Sequence, residues 1–219
     1  MSSIQNTGDQ EAGESGEQGG RGASGRNANP VYELFVLGEL MMGPHHGYRL
    51  PLIMQRMLGP FHHLRWGTLY PLIRRLEQQG LITSTSDQPS TGHVSERGQP
   101  RKIYAPTEAG RTRFFALMLD PGEYTPDYPD LFTIKLSKFS LLTPAQQLLV
   151  LQQYREYLHI LRDYYHNGRQ LVLTNPGIGD DERPYIFQIA DHRIHRCDAE
   201  LAWLDNKIAS LIEEKDLHS

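Results

Sequence analysis

Cationic and hydroxyl-bearing side chains crowd one short stretch of the 219-residue chain, where Arg65 precedes the run WGTLYPLIRRLEQQGLI at Trp66 to Ile82 with its Thr68, Tyr70, Arg74 and Arg75. That chemistry suits holding phosphates and reading base edges in a duplex groove, which needs charge and hydrogen-bond donors but no nucleophile. Catalytic chemistry finds little support. There is no GxSxG, no GxGxxG after a strand, no Walker A pattern and no HExxH, so no catalytic residue is assigned and the chain is not read as an enzyme. The lone Cys197 reads as a small buried hydrophobe without an activating partner. Histidines occur as the pairs His45/His46 and His62/His63, and as His192 and His195 three residues apart on one helix. The last two could share a metal, but Cys197 lies in an apolar seam pointing elsewhere, so no metal and no cofactor is assigned.

The elements that would position the arginines follow from periodicity. Leu69, Leu72, Ile73 and Leu76 share one stripe of a helix, with Thr68, Pro71, Arg75 and Gln78 facing away. Pro71 lacks an amide hydrogen, which puts the helix start at about Gly67 or Thr68, and Gly80 ends it. Upstream, Val31 to Met42 and Leu50 to Leu58 read as two helices separated by the turn GPHHG, with Gly38 permitting a tight helix crossing. Downstream, Leu81 to Ser86 and Arg101 to Ala105 read as strands joined by the polar loop Asp87 to Pro100, a β-wing. Thr107 caps a fourth helix running through Met118.

The net charge of -4 hides an asymmetry. Residues 30–118 hold ten Lys and Arg against six Asp and Glu, whereas residues 119–219 hold ten against sixteen. A basic module on an acidic remainder fits a protein that meets phosphates with one face. Residues 1–29, rich in Gly, Ser, Glu and Gln, are expected to stay disordered. They do not resemble a signal peptide, no run is apolar enough to span a bilayer, and a single cysteine fits a cytoplasmic location.

Three blocks, GPHHGY at Gly43 to Tyr48, GTLYPLIRRLEQQGLI at Gly67 to Ile82 and YAPTEAGR at Tyr104 to Arg111, resemble the PadR family of bacterial transcriptional regulators in the family's order. The resemblance implies a mainly α fold with a small β-wing. A winged helix-turn-helix would cover residues 30–119, followed by an α-helical dimerisation and effector-sensing part at 120–219. Trp66 departs from the family, which more often has a small residue there; the indole would reshape either the helix entry or the groove contact. The expected function is a homodimeric repressor on a palindromic double-stranded DNA operator. Thr68 and Tyr70 would lie near the groove floor, Arg65, Arg74 and Arg75 towards its walls, Trp66 and Gly67 at the helix start, and Arg97, Arg101 and Lys102 along the adjacent backbone. The competing reading is a helical protein-interaction module whose winged part does not read DNA.

Phe187, Ala190, Ile194, Cys197, Leu201, Leu204, Ile208 and Leu211 keep a heptad seam over eight positions. A second long helix from Pro144 towards Leu173 carries Leu151, Tyr154, Leu158, Leu161 and Tyr165 on one side. The seam closes either between two chains, as the family's interlocked dimers imply, or within one chain as a helical hairpin. Residues 120–130 read as a hinge leading into a short helix, LFTIKLSKF. On it Phe132, Lys135 and Phe139 would share a face, serving either as a site for an effector such as a phenolic acid or as core beside a solvated lysine. The effector itself comes from the resemblance to the larger PadR subfamily.

Overall fold

The structure, a computed structural model, describes residues 30–62, 64–86 and 102–217. The expectations for residues 1–29, His63, the loop 87–100, Arg97 and Arg101 lie outside the described residues.

Helix α1 (Pro30–Met42) is apolar on nearly every side, and the consecutive Leu34, Phe35, Val36 and Leu37 are all fully buried. A helix buried all round is a core pillar, and α1 packs against the helices at Leu50–Leu58, Glu108–Leu119 and Tyr128–Leu136 and the strand at Lys102–Pro106. Gly38 lets that happen: a Cβ there would stand 3.2 Å from both the Phe114 ring and the Lys138 stem. The expected close crossing is therefore with the fourth helix and with the segment beyond the hinge. Strand β1 (His45–His46) and a 3-10 turn (Gly47–Arg49) then lead into α2 (Leu50–Leu58). The sequence alone shows only a turn at this place. Two histidines after Gly-Pro show no alternation, yet they pair with Tyr104 and Ile103 and cover what would be an open edge.

Helix α3 (Trp66–Gln78) buries Leu69, Leu72, Ile73 and Leu76, as the spacing requires. It starts at Trp66, ahead of the expected Gly67 or Thr68, so Pro71 lies inside the helix rather than in its first turn. The amide that proline lacks would have met the Gly67 carbonyl, so one backbone hydrogen bond of the helix is missing beside the exposed Gly67. The far end is a Schellman motif: Gly80, at φ +69°, donates to Glu77 O, and Leu81 N donates to Leu76 O at 2.9 Å.

Strands β2 (Ile82–Ser86) and β3 (Lys102–Pro106) pair antiparallel with Ser84 opposite Tyr104, and the sheet order is β1-β3-β2. Helix α4 (Glu108–Leu119) begins at Thr107, whose hydroxyl accepts from Gly110 N and donates to Gly80 O. The glycine of TEAG is dictated by contact, because a Cβ on Gly110 would stand 1.9 Å from the Leu81 carbonyl oxygen. Two turns of backbone thus lock the end of α3, the wing and α4 together.

Helix α5 (Tyr128–Leu136), a 3-10 turn (Phe139–Leu141), α6 (Pro144–Thr174) and α7 (Arg183–Leu217) complete the fold. A capping box between Thr143 and Gln146 starts α6. Helices α6 and α7 run antiparallel: Arg155 meets Asp205, Arg162 meets Asp198, and Arg169 sits over the Phe187 ring. Of the two closures open to the heptad seam, the structure shows the one within a chain. Ile194, Cys197, Leu201, Leu204 and Leu211 are buried, and Phe187, Ala190 and Ile208 half-buried, within a single chain. The seam is closed by the chain's own α6, whose Val150, Leu151, Tyr154 and Leu158 are buried too. An eight-residue connection at 175–182 makes that pairing local, as in an antiparallel helix hairpin.

Candidate nucleic-acid interface and ligand cavity

On the face of α3 opposite its buried stripe, Trp66, Tyr70, Arg74 and Gln78 recur at every fourth position, and all four are exposed. Gly67, Thr68 and Pro71 beside that row are exposed as well. Arg65 holds the N-cap position with extended backbone, is exposed, and makes no capping hydrogen bond through its side chain. A bare helix N-terminus with arginine beside it attracts phosphate through its amides and dipole.

Arg75 is placed differently from its neighbour. Its guanidinium turns inward to the largely buried Glu33 of α1, 3.6 Å away, and Glu33 also accepts a 2.7 Å hydrogen bond from Arg113 of α4. Expected on the outer face, Arg75 instead ties α3 to α1 and α4. One residue along a helix turns a side chain by about 100°, which suffices to move it from the groove side to the core rim. In the wing, Lys102 is exposed and stands 3.8 Å from Glu77, whose carboxylate also accepts from Ser84.

The three residues expected to share a face of the hinge helix do not converge. Phe132 stacks on Tyr154 with centroids 3.9 Å apart and meets Trp203 edge-on. Lys135 is buried and donates to the Asp120 carbonyl at 2.5 Å, and burial pulls its pKa down to about 8. Phe139 lies past the end of α5, in the 3-10 turn, so the seven-residue spacing no longer maps onto one helix. Beside Lys135, Lys138 is buried against Glu39 of α1 in a 2.5 Å ion pair, a link between the winged module and the hinge that periodicity does not reveal.

A cavity of about 510 Å³ opens instead between residues 124–129, α6 and α7. Tyr124, Tyr154, Tyr157 and Tyr165 supply aromatic walls, and Arg193 and Arg196 supply cations. Burial, followed by a hydrogen bond to Glu200, holds the Tyr154 phenol well above its ordinary pKa, and burial raises Tyr124 and Tyr157. These phenols remain protonated donors at neutral pH. Burial and then Glu200 push the Cys197 thiol up, so it is an inert wall of the same cavity. The sequence carried a signal for this site in its density of tyrosines on α6 and in the three-residue spacing of Arg193 and Arg196. Among the described residues no group of three His, Cys, Asp or Glu could hold a metal, and no helix is long and apolar enough to cross a membrane.

Residues 36–116 match the family described as the Transcriptional regulator PadR-like family. Among solved structures, the chain is similar to Bacillus subtilis PadR in complex with operator DNA at 18% identity, covering 83% of this chain and 99% of that one with a TM-score of 0.38. It is also similar to a transcriptional regulator from Clostridium thermocellum at 22% identity, over 37% and 71% of the two chains with a TM-score of 0.32. The circadian clock associated protein Pex from anabaena is similar at 24% identity, over 40% and 71%, with a TM-score of 0.33. No curated protein matches the chain.

Proposed function

We propose that the chain, whose residues 36–116 match the PadR-like family of transcriptional regulators, acts as a homodimeric repressor that reads a palindromic duplex operator with α3. The observation that carries this reading is the exposed row Trp66, Tyr70, Arg74 and Gln78 on a helix whose other face is fully engaged in the core. An α-helix fits the major groove, and arginine and glutamine pair with guanine and adenine edges there. Arg65, Lys102 and, by sequence, Arg97 and Arg101 hold the flanking phosphates, while Arg75 orients α3 from behind.

The second copy has a surface to use. With the heptad seam closed internally, Ile160, Tyr164 and Leu171 of α6 and Tyr185 and Ile189 of α7 stay at least half exposed. Apolar side chains left out along one hairpin favour burial against another molecule. A two-fold pair would set the recognition helices about 34 to 36 Å apart on the duplex.

The tyrosine-walled cavity takes an aromatic carboxylate as effector, its ring among Tyr124, Tyr154 and Tyr157 and its charge on Arg193 and Arg196. The same segment that lines it continues into α5, where Asp130 lies 3.5 Å from His62 in the approach to α3. A ligand in the cavity can thereby bias the position of α3, as coupling between two sites requires. A gel shift on duplexes selected from a random-sequence pool, repeated with para-hydroxybenzoate and with cyclohexanecarboxylate, tests the whole reading. Release by the aromatic acid alone supports it. Binding unaffected by either acid rejects the effector, and a winged module that ignores every duplex leaves the protein-interaction reading.

A further inference from the structure

Within the exposed row of α3 the chemistry is divided. Arg74 and Gln78, towards the C-terminal end, bring hydrogen-bond donors, but Trp66 and Tyr70 at the start bring a pair of rings with centroids 5.2 Å apart and planes tilted by 31°. Both rings are open to solvent, Trp66 at 41% and Tyr70 at 51% exposure. Large aromatic faces left in water at a helix start are unfavourable unless a partner covers them. Gly67 and Pro71, one position round from them, offer no side-chain donor, and a Cβ at Gly67 would meet nothing within 4 Å. A duplex can therefore come close on this side. What a base edge in the major groove offers to an apolar plate is one group only, the C5 methyl of thymine.

We propose that the Trp66 and Tyr70 rings form a thymine reader, packing on a C5 methyl group in each half-site. The inference rests on the DNA-reading role of α3 and adds a base identity to it. In a half-site, the thymine lies under the N-terminal turn of α3, and the bases read by Arg74 and Gln78 follow towards the helix C-terminus.

The test uses the full chain and a duplex selected by it from a random-sequence pool. Thymines are replaced one at a time by deoxyuridine, which deletes the methyl and preserves every hydrogen-bonding group. The expected result is one position per half-site where the replacement weakens binding about fourfold, the worth of a single buried methyl-sized group. In Trp66→Ala that loss disappears. As a second readout, Trp203→Phe leaves Trp66 as the only indole of the two in the chain, and its emission should change more on the thymine duplex than on the deoxyuridine duplex. Wild-type binding indifferent to every replacement overturns the inference while leaving DNA reading intact. An equal loss in wild type and Trp66→Ala overturns it too. Recovery of no duplex at all overturns the DNA-reading proposal and this inference with it.

Discussion

The winged module and the C-terminal hairpin obey the same rule of helical periodicity, yet neighbouring residues fix the ends of the elements in one and leave the partner of a face open in the other. In the module, α3 runs at once into a Schellman turn and a strand, so the helix that buries Leu69, Leu72, Ile73 and Leu76 is bounded by residues next to it in sequence. In the hairpin, the seam from Phe187 to Leu211 states which face is buried but not against whom. Its partner turns out to be α6 of the same chain, and the apolar residues left for another molecule lie outside the heptad pattern, at Ile160, Tyr164 and Leu171. Periodicity names a face; loop length and local chain reversal choose its partner.

Substitutions in each region test that contrast. The largest effect is expected where the two regions meet. Glu39→Ala strands the buried Lys138 ammonium, and unfolding by denaturant should show a loss of about 3 to 5 kcal/mol. A loss below 1 kcal/mol, to order of magnitude, would mean that Lys138 reaches water and that the link is superficial. In the hairpin, Leu204→Ala empties a fully buried site and should cost about 2 to 5 kcal/mol. Tyr164→Glu, on the exposed side, should leave protomer stability almost unchanged and shift sedimentation from dimer to monomer. If instead Leu204→Ala dissociates the dimer without destabilising the protomer, the seam is intermolecular after all.

Lys135 supplies a pH test. Its folded pKa, about 8, lies below its ordinary 10.5, so between those values the unfolded chain binds the extra proton and stability rises with pH. Below pH 8 the cost of burying the charge is present in full, on the order of 3 kcal/mol. Lys135→Met should abolish the rise between pH 8 and 10.5, and an unchanged slope would assign it to other groups. The smallest effect on folding belongs to α3 itself: Arg74→Ala should leave the melting temperature in place and weaken duplex binding by about 1 to 3 kcal/mol.

Much of this architecture was legible in the sequence because turn chemistry accompanies it. Thr107 as a cap, Gly80 as a helix stop and Pro144 at the start of α6 each solve a local hydrogen-bonding problem, and local problems leave local signatures. The strand at His45–His46 left none, since it exists only by pairing with β3, nearly sixty residues away. Arg74 and Arg75 looked alike for the same reason. Their separation into an outer and an inner arginine depends on Glu33, which periodicity places inside the core of α1 but does not aim at anything. Phe132, Lys135 and Phe139 failed as a shared face because α5 stops at Leu136, where the chain tightens into a turn without a proline or glycine to announce it. The cavity needed three separate segments to close, and only the crowding of tyrosines hinted at it.

The central claim, that paired protomers read a duplex through the outer row of α3, is tested most directly by titrating a selected duplex with wild type, Arg74→Ala and Arg75→Ala across a range of salt. Two protomers are expected per duplex. Arg74→Ala should weaken binding at constant protein stability, whereas Arg75→Ala should lower the melting temperature as it loosens α3. One protomer per duplex, or an Arg74→Ala protein that binds as tightly as wild type at every salt concentration, would contradict it.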